Sequence, residues 1–354
     1  MIQPRIQVDF PRRCWSVFRS RRVAFYPEAG EFLLNHNRSG LLLALQSLQL
    51  PQGSRVGVMA YNCHTVMNAV DRAGYKIVFV DITMGLKMDV EDLRKKKERL
   101  SALIVSHLFG LANDIEIIKS VCPDIPIIED CAHTYAMDSC GRMGDFAVYS
   151  IGVGKFPSVG DGGVLRVNNP GYRNVVGHLY AKLPKYSKKE ERQLMLKLIA
   201  MQWLYSPWVY SFVTLPLLKH NKNRSIPSEK KTSVLKMSDG IAAVYCTILQ
   251  EIEKQKKLNQ SVAESLTGYF SKRKEIRLIN TDLRNSNCFM FPVYCESPEL
   301  LKKEFRNMGI ETETHFHNCI IWCKSYGYRD GECPTAEHLL KHLLMIPTYK
   351  KLKL

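Results

Sequence analysis

The chain reads as an α/β protein, with a mostly parallel sheet covered on both faces in a larger N-terminal part and a smaller α+β part after it. Three observations point there. Short apolar runs alternate with helix-like stretches between about residues 39 and 167, and this pattern changes after Met237. The chain has 354 residues, 45% hydrophobic and 24% charged, enough for a large core divided between two domains.

The elements follow in order. Residues 39–50 read as a helix that Pro51 and Gly53 end. A strand at 55–60, a helix at 65–73 and a buried strand at 77–81 come next. A charged helix at 90–100 leads to a strand at 102–107, and a helix at 114–121 to the apolar strand 125–130. Two further strands fit 145–150 and 163–167. In such a sheet the ligand site lies beyond the strand C-termini, where Asp130 stands. Beyond Met237, residues 241–258 read as one long helix rich in Glu and Lys, 288–294 as a strand and 299–308 as a helix. The expected domains are an N-terminal segment 1–30 packing on the small domain, a large domain 31–236 with an apolar and basic insert at 180–231, and a small domain 237–354.

The formal net charge of +16 raises the question of nucleic acid. The basic runs at 19–22, 95–99, 185–192 and 219–231 are scattered, and none forms an aromatic-interleaved RNA motif or a helix-turn-helix pattern. An anionic small substrate or an anionic lipid surface accounts for the sign, and no nucleic-acid partner is expected. The 11 cysteines show neither a disulfide framework nor a Cys-x-x-Cys pair, and the first residues lack the apolar stretch of a signal peptide. Both features lead us to expect a reducing cytoplasm.

The chemistry centres on Lys155. It stands in Gly152-Val153-Gly154-Lys155-Phe156-Pro157-Ser158-Val159-Gly160, 25 residues after Asp130, which closes an apolar run and is followed by Cys131-Ala132-His133. A phosphate-binding P-loop would need glycine at 149 and a hydroxyl at 156, where the chain has Tyr149 and Phe156. A carboxylate at a buried strand end and a lysine in a glycine-rich loop suit a pyridoxal phosphate enzyme. The lysine forms a Schiff base with the cofactor aldehyde, and the aspartate keeps the pyridine nitrogen protonated. For Lys155 to act, its amine must lose its proton.

From about Phe32 to Lys351 the chain resembles the DegT/DnrJ/EryC1/StrS family of sugar-nucleotide aminotransferases. Asn37-Arg38-Ser39-Gly40-Leu41 is similar to the family's opening Ser-Gly-Thr segment. Ala73-Gly74-Tyr75, then Val78-Phe79-Val80-Asp81, and Val105-Ser106-His107-Leu108-Phe109-Gly110 resemble two of its strand segments. Glu129-Asp130-Cys131-Ala132-His133 matches its Glu-Asp-Ala-Ala-His, and Gly160-Asp161-Gly162-Gly163 its Gly-Glu-Gly-Gly. Pro334-Thr335-Ala336-Glu337 and Ile346-Pro347 resemble its closing motif.

The resemblance implies the fold of type I pyridoxal phosphate transferases, with a seven-stranded sheet and a smaller α+β C-terminal domain. It also implies a homodimer with shared sites. The substrates would be an amino acid donor, L-glutamate by expectation, and a nucleotide-linked keto-sugar of surface glycan synthesis. Lys155 is then the Schiff-base lysine and proton carrier, Asp130 the partner of the pyridine nitrogen, and His133 the residue beside the ring and its phenolic oxygen. Ser150 and the backbone amides of Gly40 and Leu41, at a helix N-terminus, hold the phosphate.

The departures from the family are specific. Leu41 replaces a threonine, Gly152-Val153-Gly154 leave the loop barer, and Val234 and Lys236 stand where an asparagine and an arginine are usual. Cys63 occupies the place of the ring-stacking aromatic, which leaves His64 to stack. His315 and His317 fall in a segment that lines the sugar pocket in the family. With Cys319, Cys323 and Cys333 these histidines suggest zinc, but no standard zinc spacing appears, and the alternation from His315 to Cys319 suits one face of a strand.

Residues 198–218 form 21 uncharged positions, near the roughly 20 needed to span a bilayer. Pro207 and Pro216 interrupt any single helix, and basic residues flank both sides. We expect short apolar helices packed on the body or at a dimer interface. The sharper reading is a peripheral contact at the inner face of a membrane, with Trp203, Tyr205, Trp208 and Tyr210 among the headgroups. The altered phosphate contacts and this insert also motivate a second class of function, a catalytically inactive scaffold or regulator of a membrane-associated glycan assembly. Retention of Lys155 and Asp130 argues against it.

Overall fold

The computed structural model describes residues 1–6, 28–220 and 233–352. Most of the expected N-terminal segment, the basic run at 19–22, the basic run beyond residue 220 and Thr232 lie outside the described residues.

Seven strands form one sheet: β1 (Glu31–Leu34), β2 (Arg55–Met59), β3 (Lys76–Val80), β4 (Ala102–Ser106), β5 (Ile127–Asp130), β6 (Phe146–Ser150) and β7 (Gly163–Val167), in the order β1-β7-β6-β5-β4-β2-β3. Strands β2 to β6 are parallel. Strand β7 runs antiparallel to both of its neighbours, β6 and β1. Every residue of β4, β5 and β6 is buried, as their uninterrupted apolar runs demand of strands covered on both faces. Alternation divides the apolar side chains between two cores. Leu103, Val105 and Ile127 join Met59 and Phe79 on one side, while Ile104, Ile128 and Val148 join Val56 and Val58 on the other.

Two of the helices start where an aspartate satisfies free amides. Asp89 accepts from the amides of Glu91 and Asp92, and Asp114 from that of Ile117. Helices α1 (Asn37–Ser47) and α2 (His64–Arg72) cover one face of the sheet, followed in the chain by α3 (Val90–Lys96), α4 (Ile115–Val121) and α5 (Arg173–Ala181). Gly40 lets α1 lie close on β6, because a Cβ there would run into Val148 Cγ1.

The insert begins with α6 (Lys188–Leu204), opened by a capping box between Ser187 and Glu190. Short helical turns follow at Pro207–Val209, Tyr210–Thr214 and Leu215–His220, the middle one π-helical. Met195 and Leu198 of α6 are buried, and Tyr210 Oη donates to Glu311 at 2.6 Å. The outer side is apolar: Trp203, Trp208 and Phe212 are 64%, 65% and 68% exposed. Among the described residues no helix is long and apolar enough to cross a membrane.

In the C-terminal part, residues 241–258 are not one helix. Helix α7 (Asp239–Leu249) ends and α8 (Ile252–Phe270) begins at Gln250 and Glu251. The Glu251 N–H bonds to the Ile248 carbonyl, three residues back, so the last turn tightens and the ladder breaks. Strands β8 (Ile276–Leu278), β9 (Met290–Cys295) and β10 (Leu343–Pro347) form an antiparallel sheet in the order β10-β9-β8. Phe270, Phe291 and Phe305 pack beneath it with Leu344 and Ile346. Residues 1–6 run along this part: Gln3 pairs with Ile310, Arg5 forms an ion pair with Glu313, and Ile2 N–H donates to Ser211 Oγ of the insert at 2.7 Å.

Candidate active site

The C-terminal ends of three neighbouring strands floor a cavity of about 360 Å³. Ser106, Asp130 and Ser150 are the last residues of β4, β5 and β6, and all three line it. Parallel register sets Ser106 beside Asp130, and the Ser106 hydroxyl donates to Asp130 Oδ2 at 3.2 Å. Asn37 Nδ2 and the Ala132 N–H donate to Oδ1, each at 3.2 Å. Burial raises the Asp130 carboxyl above its usual range, against the opposing pull of Lys155 and these donors.

Glu129 points the other way, as strand alternation requires. Its carboxylate takes the amides of Gly141, Met143 and Gly144 at 2.7, 2.9 and 2.6 Å and pairs with His107 Nε2 at 2.9 Å. This contact fixes the 141–144 turn against the back of the site. His107, Glu129 and Cys131 meet closely enough for a metal ion, but hydrogen bonds already occupy the carboxylate.

Lys155 reaches the cavity from a loop closed on itself. The amides of Val159 and Gly160 bond to Ile151 O at 2.9 and 3.1 Å, and Gly154 N–H donates to Ser158 Oγ at 3.1 Å. The loop that looked bare in sequence is therefore held from within. Lys155 Nζ lies 2.7 Å from His133 Nε2. Burial pushes the lysine below its ordinary range, although Cys63 and Asp130 pull it back up. The His133 imidazole is buried beside the rings of Phe109 and Phe289, each at 5.0 Å, with Phe316 stacked at 6.0 Å. Burial holds it well below the usual histidine range. An amine that burial shifts toward its unprotonated form, next to a carboxylate at a strand end, is equipped to attack a carbonyl carbon.

Gly40 and Leu41 do not line the cavity. Both sit beyond the first residues of α1, the Gly40 amide bonds to His36 O, and the Leu41 side chain is fully buried in the core. The residues of α1 that line it are Asn37 and Arg38, whose amides lack an acceptor within the helix. The Arg38 guanidinium is half-buried and has no hydrogen-bond or ion-pair partner among the described residues. His36 Nδ1 pairs with Asp161 Oδ1 at 2.8 Å, and Tyr186 Oη donates to Asp161 Oδ2 at 3.2 Å. Helix α6 contributes Leu194 and Lys197.

His64 does not face the cavity either; its ring tilts against Trp322 at 5.0 Å. Cys63, the cap of α2, lines the cavity instead. Burial raises its thiol, but hydrogen bonds from His64 and Thr65, with the charges of His64 and Lys155, bring it down to about 7. From the 315–317 segment the lining residue is Phe316, whose φ of 57° is left-handed. His315 stands 5.8 Å from His133 without lining the cavity, and His317 is exposed. This segment is a turn leading into helix α9 (Cys319–Lys324), not a strand, so Cys319 and Cys323 point into the core. Val234 packs on the core beside α1, and Lys236 Nζ lies over the Tyr180 ring, 3.3 Å from Ala181 O. Asn37 and Arg38 only flanked the Ser-Gly segment, and Phe316 and Lys197 carried no motif; the first turn of α1, the turn at 315–318 and α6 bring them to the site.

A model of the DegT/DnrJ/EryC1/StrS aminotransferase family matches residues 34–354. A GDP-perosamine synthase of Vibrio cholerae is 28% identical over 171 residues, 44% of this chain and 47% of that protein, so the match spans about half of it. The aminotransferase TlmJ of Streptoalloteichus hindustanus has the same fold, with a TM-score of 0.75 at 18% identity over 98% of this chain and 94% of that one. GDP-4-keto-6-deoxy-D-mannose-3-dehydratase of E. coli also shares it, with a TM-score of 0.74 at 15% identity over 99% and 96%. The match over residues 34–354, carried on a chain whose loop lysine and strand-end carboxylate share one cavity, makes this protein a member of the DegT/DnrJ/EryC1/StrS aminotransferase family, enzymes that work with pyridoxal phosphate.

Proposed function

We propose that the chain transfers an amino group from an amino acid, L-glutamate by expectation, to a nucleotide-linked keto-sugar destined for a surface glycan, and that it does so as a cytoplasmic homodimer. The observation that carries this reading is Lys155 Nζ, half-buried and 2.7 Å from His133 Nε2 in the cavity that Asp130 floors. The similarity to a GDP-perosamine synthase supports a nucleotide-linked sugar. The dehydratase likeness is one of fold alone, and retention of a lysine at 155 favours amino transfer over deoxygenation.

The residues present suit the cofactor. Asp130 would hold the pyridine nitrogen, His133 would lie beside the ring, and Ser150 with the amides of Asn37 and Arg38 would take the phosphate. Pyridoxal phosphate, when bound, supplies the electron sink. Lys155, as free amine, takes a proton from one carbon and returns it to another. Asp130, fixed by Ser106, Asn37 and the Ala132 amide, keeps one orientation throughout. The phenylalanines around His133 exclude water from the face on which Lys155 works. His315 and His317 remain candidates for sugar contacts from the rim. Incubation with pyridoxal phosphate, L-glutamate and GDP-, UDP- or dTDP-linked keto-sugars should yield an amino-sugar nucleotide by mass spectrometry. Absence of any aminated product with all of these would refute the reading.

The exposed aromatic side of the insert supports a second, compatible proposal, a peripheral contact with anionic lipid. Trp203, Trp208, Phe212 and Leu217 present large apolar surfaces.

A further inference from the structure

We propose that His133 holds Lys155 as the free amine by donating a hydrogen bond to it, so that the nucleophile is prepared before any cofactor arrives. The inference rests on the reading of Lys155 as the reacting amine.

The Leu108-Phe109-Gly110 turn sets the geometry. Phe109 and Gly110 both have left-handed backbones, with φ of 53° and 83°. A side chain at 110 would run into Ser286 and Asn287, so glycine is required there. The turn directs the Phe109 N–H onto His133 Nδ1 at 3.3 Å. The backbone of His133 is fixed separately, because Asn287 Nδ2 donates to the carbonyls of His133 and Tyr135 at 3.1 and 2.9 Å. Three phenylalanine rings surround the imidazole and deny it the solvation a charge would need.

A neutral imidazole has one N–H and one lone pair. The Phe109 amide occupies the lone pair on Nδ1, so the proton sits on Nε2. That nitrogen lies 2.7 Å from Lys155 Nζ. An N–H there needs an acceptor, and an amine accepts only in its unprotonated form; an ammonium would face the N–H donor to donor. A backbone amide thus selects the tautomer, and the tautomer selects the form of the lysine.

The groups that face Lys155 are His133 from the loop after β5, His315 from the turn before Cys319, Asp130 from the end of β5 and Cys63 from the cap of α2. The last two favour the ammonium, and the hydrogen bond from His133 and burial oppose them. His133 itself faces Lys155 and His315, and both disfavour a charge on it.

The test uses the full-length chain stripped of cofactor, its fold checked by circular dichroism. Lysines are methylated with formaldehyde and a hydride reductant over a pH series, and the Lys155 peptide is quantified by mass spectrometry against exposed Lys95 and Lys119. In the native protein the Lys155 midpoint falls below theirs. His133→Phe keeps an apolar ring and the burial but removes the donor. Its midpoint rises by about one pH unit and modification near neutrality slows by about tenfold, the size expected of one hydrogen bond. His133→Gln, which retains a side-chain N–H, restores most of the shift. An unchanged or lower midpoint in His133→Phe would mean that burial alone sets the amine and would overturn the proposal. Should that variant not fold, nitrogen NMR of the unmutated protein decides. The Nε2–H tautomer is expected, and an Nδ1–H tautomer refutes the argument. Both readings are made without cofactor, so a failure here leaves the amino-transfer assay untouched, and the reverse also holds.

Discussion

Glu129→Gln is the perturbation whose cost the structure specifies most fully. The carboxylate is completely buried and accepts four hydrogen bonds, from the amides of Gly141, Met143 and Gly144 and from His107 Nε2. Gly141 and His107 share Oε2, while Met143 and Gly144 share Oε1. An amide keeps one oxygen, so one of these pairs meets an NH₂ group. His107 cannot adapt, because its Nδ1 accepts from the Asn113 N–H at 3.0 Å and its Nε2 must remain a donor. Two hydrogen bonds to a charged acceptor are lost at about 1.5–3 kcal/mol each, for a total of about 3–6 kcal/mol.

The loss has a defined pH dependence. Burial raises the Glu129 carboxyl, but His107 and the amides of Gly144 and Gly141 hold it below its ordinary value. A depressed native value contributes stability above the unfolded-state value, about 4.3, and that contribution disappears as pH falls through the native value. Urea unfolding of both proteins, at neutral pH and at stepwise lower pH, should show a large gap that narrows with acid. A difference under about 1 kcal/mol at neutral pH, or a gap that widens with acid, would refute the assignment of these bonds.

Three further outcomes follow from the site and the insert. Arg38→Ala should weaken binding of pyridoxal phosphate by about tenfold or more in a spectroscopic titration and leave dephosphorylated pyridoxal nearly unaffected, as expected for loss of one charge-assisted contact; equal effects on both would remove Arg38 from the phosphate. Cys63, with a thiol near 7, should be alkylated by iodoacetamide with half-maximal rate near that pH, and bound cofactor should protect it. Trp203→Ser with Trp208→Ser should abolish flotation with anionic liposomes; a native protein that ignores such liposomes but loses self-association in the double variant would assign the surface to a second copy of the chain.

What the sequence disclosed was the part written in local patterns. Apolar runs such as Ile127-Ile128 and Leu103-Ile104-Val105 gave the parallel sheet, and the ends of those runs put Ser106, Asp130 and Ser150 on one floor. Spacing alone related Lys155 to Asp130, and the structure brings both to one cavity. The errors arose where an offset of one or two residues changes what a group meets. Helix α1 starts at Asn37 and not at Ser39, which moves the free amides from Gly40 and Leu41 to Asn37 and Arg38. Phe316 turns inward between two histidines because its backbone is left-handed, a conformation that no pattern of polar and apolar residues reveals. Helix α6 reaches the cavity through a tertiary contact, and Lys197 looked like any other solvated charge.

The most direct measurement of the central claim is an absorbance spectrum of the purified protein with added pyridoxal phosphate, recorded beside Lys155→Ala. The account predicts a visible band from cofactor joined to lysine, bleached by L-glutamate and missing in the variant. No such band in the native protein, or an identical band in Lys155→Ala, would contradict it.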